Sequence, residues 1–509
     1  MRLSSWLRST RSHFAPTGTG NGPRPTRLPR RAAPARLGVE LLEDRTVPST
    51  FTVHNLADGG DGSLRAAITD ANANPGVDLI RFAPSARVGT IALTSGELVI
   101  TDAVRIDGPG AGRMAVSGND ASPVFRIGSG AAVSIDDLTI TYGRAVGQGG
   151  GIPNAGTLTL SRTILSDNLA VGLPGANLGT IVDAFGGGVF NTGSLTVRHS
   201  RFVHNRSTGA DGSSSTIGSS ALGGAIMSGG TAAAPATATV SHSTFLDNEA
   251  VGGAAGNGAS RAGIGGAVAN ATGTFTVSHS EFRDNQAVGG AGGSARGGFG
   301  TGAGGAIGNV ARLGDAILAV SHSEFRDNQA VGGAAGTGAP AQDGRGGAIA
   351  NYIFGGLVGP VTVTASATVT HSTLLGNQAI GGTGPAGGNG QGGGISNLNG
   401  GVLTVSNSLI ALNQAVGGAG AAGNGGIGQG GGIYNGGAIP IGPSRLTLQR
   451  SRIALNQAVG GTSIGGSTGQ GVGGGLYLAP GGLASADLPT RIFANDASTS
   501  DDDAFGLLI

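Results

Sequence analysis

From about residue 146 onward the chain repeats one pattern of apolar and polar positions. An alternating run such as Thr274-Phe275-Thr276-Val277 is followed by a short apolar run that ends in asparagine, and then by a glycine pair leading into isoleucine or valine. Alternation with period two marks a strand with one buried face. Thr157-Leu158-Thr159-Leu160, Ser194-Leu195-Thr196-Val197 and Val402-Leu403-Thr404-Val405 have the same form. Strands this short do not stand alone; stacking each on its equivalent in the next coil closes the backbone hydrogen bonds and builds one continuous core.

The terminal asparagines are Asn168, Asn205, Asn248, Asn285, Asn328, Asn377, Asn413, Asn456 and Asn495, at steps of 36 to 49 residues. Three residues before them lie Leu165, Phe202, Phe245, Phe282, Phe325, Leu374, Ile410, Ile453 and Ile492, which are the core candidates. The glycine element recurs at 149–152, 186–189, 223–226, 265–268, 304–307, 346–349, 392–395 and 430–433, often with a second asparagine such as Asn270 or Asn435 soon after. Two alternating elements predict two turns of solenoid per long repeat, with equivalent residues in successive repeats about 10 Å apart. The repeated asparagines are expected at exposed turns, hydrogen-bonded to backbone.

The fold so predicted is all-β, a single-stranded right-handed parallel β-helix with a short N-terminal capping helix. A leucine-rich or helical repeat would need denser leucine or longer glycine-free segments, and a propeller would need more aromatic residues per blade. Residues 1–48 form a basic, proline-containing segment, either disordered or export-related, and 49–78 a cap with a strand and a helix over about 64–73. Residues 79–145 form irregular first coils, 146–498 the regular repeats, and 499–509 a C-terminal tail. Glycine-rich excursions at 252–263, 289–303, 332–345 and 381–392 leave the coil after the same element, which places them on one side as a contiguous ridge.

Composition adjusts this picture in three ways. Glycine supplies 103 of 509 residues and charged residues only 12%, yet the phased apolar positions and 39% hydrophobic content argue against a disordered chain. A formal charge of +1, with no lysine- or arginine-rich patch in the repeats, argues against a nucleic-acid partner. The absence of cysteine excludes disulfides, thiolate nucleophiles and cysteine-ligated metals. No run of 18 apolar residues predicts a transmembrane helix.

The most chemical-looking feature lies six residues before the asparagine: His199, His242, His279, His322 and His371, with Arg162, Asn407 and Arg450 at the same place in other repeats. Histidines about 10 Å apart cannot share a metal ion, and the exchange for asparagine or arginine reads as an exposed corner. Such a row gains charge together below roughly pH 6.5. The acidic candidates are Asp136 and Asp137, and the row Asp167, Asp247, Asp284 and Asp327, where Arg283 and Arg326 neutralise part of the charge. A turn role is expected for that row. No catalytic residue, cofactor site or metal site is assigned.

Three resemblances carry further expectations. Leu41-Leu42-Glu43-Asp44-Arg45-Thr46-Val47-Pro48 resembles a short motif near the start of large exported proteins of planctomycete-type bacteria, which implies an extracellular or cell-surface location. Residues 62–72 with Asp78-Leu79-Ile80-Arg81-Phe82 resemble the N-terminal motif that precedes β-helices in bacterial surface proteins, with Gly62 where that motif often has cysteine. The words at 223–226, 304–307 and 346–349, with the pairs Phe202/Asn205, Phe245/Asn248, Phe282/Asn285 and Phe325/Asn328, resemble repeats of the chlamydial polymorphic outer membrane protein family. That likeness implies a β-helical surface protein or adhesin. The expected function is a non-enzymatic secreted or surface β-helix that contacts matrix, glycan or a surface protein. The alternatives are a carbohydrate-active β-helix enzyme and a purely structural surface component.

Overall fold

The computed structural model describes residues 48–506 and 508, apart from 177, 214, 256–259, 293–299, 336–340, 355–362 and 438–441. The basic segment, up to residue 47, lies outside the described residues, as do the central parts of three glycine-rich excursions. Within the rest, the phased apolar positions turn inward. Phe202, Phe245, Phe282 and Phe325 are fully buried and stacked, with ring centroids 4.8, 4.6 and 4.8 Å apart. Leu165, Leu374, Ile410 and Ile453 continue the column.

One coil runs through the two-residue strand Ala221–Leu222, then Ile226–Gly229, Ala236–Ser241, Thr244–Leu246 and Glu249–Val251. Each strand pairs in parallel with its equivalent one repeat later, for example Phe202 with Phe245 and Val240 with Val277. Stacking these strands gives five faces of a parallel β-helix: a short-strand face, an aromatic face, a threonine face, a groove-side face and a glutamine face, in chain order. The core fills the interior between them.

This register corrects the expected two turns per repeat. One repeat is one coil, and its asparagine and glycine elements occupy different corners of the same turn. Equivalent residues are therefore neighbours at the strand spacing of about 4.8 Å rather than about 10 Å.

The asparagines are also not at exposed turns. Those from Asn168 to Asn456 are fully buried, and each Nδ2 donates to the Oδ1 of the next, at 2.8 to 3.1 Å, down the whole stack. The same Nδ2 reaches a strand carbonyl of the preceding coil, as from Asn285 to Phe245 at 3.0 Å. A second buried ladder joins Asn270, Asn309, Asn351, Asn397 and Asn435 across the coil. The left-handed residue is the one before each asparagine of the first ladder, as at Asp284 (φ 55°). Asparagine wins the interior corner because its amide carries donors and an acceptor, so identical residues satisfy one another indefinitely.

Each ladder needs an end. Asn495 has no asparagine after it; its backbone N and its Nδ2 donate instead to Asp503 at 3.1 and 3.0 Å. The glutamine row on the outer face ends the same way, with Gln457 donating to Asp496 at 2.8 Å. An acceptor-only carboxylate suits a terminus at which only a donor is left over.

Glycine content is explained by the ridge beside the glutamine face. Gly426 donates to Gly418, Gly461 to Gly426 and Gly469 to Gly461, so outgoing and returning arms of successive coils interleave through backbone hydrogen bonds of 2.7 to 2.9 Å. A Cβ on Gly426 would lie 1.8 Å from the carbonyl oxygen of Gly388, and one on Gly418 1.9 Å from that of Gly382. Only glycine lets backbones approach this closely.

At the N-terminal end, helix α1 (Leu64–Ala73) buries Leu64, Ala67, Ile68 and Ala71, and Ser63 caps it by accepting from the Ala66 backbone N. Arg65 ties the helix to Asp58 and to the carbonyls of Gly96 and Glu97. Covering the first coil this way closes an apolar end that would otherwise offer open strand edges.

Candidate functional site

Between the threonine face and the groove-side face the chain turns through a single left-handed residue. Asp137, Arg162, His199, His242, His279, His322, His371, Asn407 and Arg450 hold this corner, with φ from 47° to 54°. Asparagine, aspartate and histidine are the non-glycine residues most at home in that region. The corner is exposed, as expected, but the coil spacing brings the five histidines into contact. Their rings stack with centroids 4.9 Å apart at every step, and the last three pairs lie within 3° of parallel.

Stacking does not make a metal site. Nitrogens of parallel rings point the same way side by side, whereas two ligands about 2.1 Å from one ion can be at most about 4.2 Å apart. Among the described residues no group of three histidine or carboxylate side chains is arranged to hold a metal.

His242, His279, His322 and His371 form one lip of an open groove of about 780 Å³. Its other lip carries Thr244, Glu281, Glu324 and Thr373, and its floor Ser243, Ser280 and Ser323. The floor hydroxyls are consumed by the fold. Ser280 Oγ donates to the Ser278 carbonyl at 2.8 Å and accepts from the Ser243 backbone N at 3.2 Å, and the same pair of bonds recurs in the next coil. None is a free nucleophile. The imidazoles, Glu281 and the threonines remain to meet a ligand, while the stacked Glu324 is paired with Arg326. The groove continues for about 500 Å³ past His371 to Asn407, Arg450 and Arg452.

At the other end of the same corner the acidic candidates Asp136 and Asp137 are brought together with Asp107 and three arginines. Arg162 holds Asp137 at 2.6 Å and Asp136 at 3.7 Å; Arg105 lies 3.3 Å from Asp136 and 3.7 Å from Asp107; Arg81 lies 4.0 Å from Asp107. Asp107 also lines a cavity of about 290 Å³ with Arg81, Arg87 and Arg113. Asp107 escaped notice in the sequence because only the parallel register of Asp107 with Asp136 joins them.

The second acidic row lies on the opposite edge of the groove-side face. Asp167, Asp247, Asp284 and Asp327 are all left-handed corner residues, and His204 bridges Asp167 and Asp247 at 3.7 and 3.6 Å. Burial and the neighbouring Asp247 carboxylate push the Asp284 carboxyl up, against the pull of Arg283. This is the turn role expected of the row.

One feature was absent from the sequence reading. The residue after the isoleucine or valine of the glycine element points outward and builds an aromatic stripe, including Phe190, Tyr434, Tyr477 and Phe505; Tyr434 and Tyr477 stack at 5.5 Å and Tyr477 and Phe505 at 4.8 Å. Arg345 lies near this stripe, bound to Asp343 at 2.9 Å and to Gln391 at 3.1 Å. Burial pushes the Tyr352 and Tyr434 hydroxyls up to about 12, and Arg345 opposes it. Tyr434 and the neighbouring Tyr352 and Leu398 are all less than a tenth exposed and pack in one apolar cluster with the half-buried Phe190 and Tyr477. This makes that side of the coil a secondary core, which opens to solvent at Phe505.

No family model and no curated protein matches the chain. Among solved structures, a mannuronic acid specific polysaccharide family 6 lyase from human gut microbiota aligns at 10% identity and TM-score 0.36, covering 91% of each chain. The catalytic unit of a thermostable GH87 α-1,3-glucanase from Streptomyces thermodiastaticus strain HF3-3 aligns at 13% identity and TM-score 0.36, covering 88% of this chain and 69% of that one. Alginate lyase AlyF-OU02 in complex with G6 aligns at 11% identity and TM-score 0.30, covering 83% and 87%. These three proteins act on polysaccharides by their names; likeness at this level transfers no activity, substrate or residue to the present chain.

Proposed function

We propose that this chain is an exported β-helical protein that holds a linear polysaccharide lengthwise along the histidine groove without cleaving it. The observation that carries the reading is the repetition itself. Four imidazoles, His242, His279, His322 and His371, recur at 4.9 Å along an open groove and His199 extends their column by one coil, which suits a ligand that is itself a repeating chain. Imidazole faces and edges pack on sugar rings and hydrogen-bond their hydroxyls. The motif-like stretch at 41–48 supports an extracellular location, as does the likeness of the repeats to surface β-helices. Among the described residues no helix is long and apolar enough to cross a membrane.

A second reading has a specific observation behind it. Asp107, Asp136 and Asp137 are gathered beside Arg81, Arg105 and Arg162, and glycosidic-bond cleavage uses a pair of neighbouring carboxylates. One experiment separates the two: a glycan array with full-length protein, followed by mass spectrometry of each bound polymer after incubation at neutral pH with calcium. Retention without new chain ends supports the binding reading. Fragments that vanish in Asp136→Asn establish cleavage, and the absence of any bound glycan refutes both.

A further inference from the structure

Resting on the reading of the groove as a polysaccharide site, we infer that the histidine groove selects acidic polysaccharides and tightens on them as the pH falls. Imidazole is the side chain whose ordinary ionisation falls between pH 5 and 8. Here five imidazoles stand in one exposed column, so acidification converts a neutral lip into a line of positive charge at 4.9 Å intervals. Few ligands match such a line. A polymer with one carboxylate or sulfate per sugar does, because an extended glycan advances by a similar step.

The surroundings decide whether that charge is cancelled. Facing the column are Glu281 and Glu324 on the adjacent strand edge, and Arg201 and Arg452 at the same strand position in other coils. Arg198 ends the threonine-face strand before His199, and Arg450 continues the corner. Arg283 and Arg326 lie on the same outer face, Arg326 paired with Glu324 and Arg283 with Asp284. The more distant acidic corner holds Asp167, Asp247, Asp284 and Asp327, the first two against His204, while Asp136 and Asp137 are taken by Arg162 and Arg105. The stretch from His242 to His371 is therefore lined, among the described residues, by two glutamates and no arginine, and Glu324 is already paired with Arg326. Arg450 and Arg452 stand only in the extension beyond His371, so protonation of the imidazoles is what turns the lining positive. Protonated neighbours repel one another, and a polyanion laid along them relieves that repulsion.

The test measures binding of full-length protein to a polyuronate, to a sulfated polysaccharide and to an uncharged β-glucan of equal length, at about pH 7.5 and about pH 5.5. The inference expects at least a tenfold gain in affinity for both acidic polymers on acidification, none for the neutral one, and loss of the gain in the double variant His279→Asn and His322→Asn. Asparagine keeps the left-handed corner, since Asn407 already occupies it. His204→Gln, on the other corner, should leave the gain intact. Equal affinity at the two pH values, or an undiminished gain in the double variant, overturns the inference. Binding of the neutral glucan alone would overturn it while sparing the lengthwise reading; no binding to any polymer would overturn both.

Discussion

Replacing one asparagine of the interior ladder should cost far more than replacing one histidine of the groove, although the histidine looks the more functional residue. Asn285 makes four buried hydrogen bonds through its side chain. It accepts at Oδ1 from the backbone N and Nδ2 of Asn248, at 3.1 and 2.9 Å, and donates from Nδ2 to Phe245 O and Asn328 Oδ1, at 3.0 and 2.9 Å. At about 1 to 1.5 kcal/mol each, Asn285→Ala should destabilise the surrounding coils by about 4 to 6 kcal/mol. His279→Asn, at an exposed corner, should change stability by less than about 0.5 kcal/mol. Because each coil contacts only its neighbours, the loss should be local. Urea denaturation followed by circular dichroism, with amide exchange read at Asn248, checks both numbers. Equal stability of the two variants, or full protection of the Asn248 amide in Asn285→Ala, would refute the assignment of the ladder as the element that fixes the coil.

Three other outcomes are expected. Gly426→Ala places a Cβ 1.8 Å from Gly388 O, so the ridge must part; a loss of about 2 kcal/mol or more and faster exchange at the Gly461 amide should result, while the same change at exposed Gly112, which has open space, should do little. Asp503→Ala removes the acceptor that ends the asparagine ladder and should fray the last coil, seen as faster exchange of the Asn495 amide with the coils around Asn285 unchanged. At the other end, burial alone would raise the Asp58 carboxyl, but hydrogen bonds from Ser95, Arg65 and Thr94 outweigh it and hold it well below the usual carboxylate range. Its folded value is depressed, so its contribution is complete above the unfolded value of about 4 and is lost progressively as pH falls from there through the lower folded value. Exchange in helix α1 should accelerate in strong acid, and Asp58→Asn should show the faster exchange already at neutral pH.

Much of the fold was legible because a β-helix writes its inward positions at fixed offsets. Phe202, Phe245, Phe282 and Phe325 were identifiable as core from spacing alone, and Leu64, Ala67, Ile68 and Ala71 from their helical phase. What the spacing did not contain was the length of chain in one coil. Counting two recurring elements as two turns doubled the interval between histidines, and it hid both their 4.9 Å stacking and the asparagine ladder. Asparagine is the typical turn residue, and nothing local distinguishes one at a bend from one whose amide is paired with copies of itself. The glycine arms were placed on one side by their recurrence, but their interleaving depends on backbone contacts between coils. The cluster of Asp107 with Asp136 likewise exists only through register.

The most direct measurement of the central claim is the affinity of the full-length protein for one polysaccharide as a function of chain length. Oligosaccharides of increasing length are titrated calorimetrically, and each mixture is then examined by mass spectrometry. A chain held lengthwise predicts affinity that keeps rising as further sugars reach further histidines, levels off once the column from His199 to His371 is covered, and yields no products. Affinity that is complete with a single sugar or a disaccharide, or the appearance of shortened chains, would contradict it.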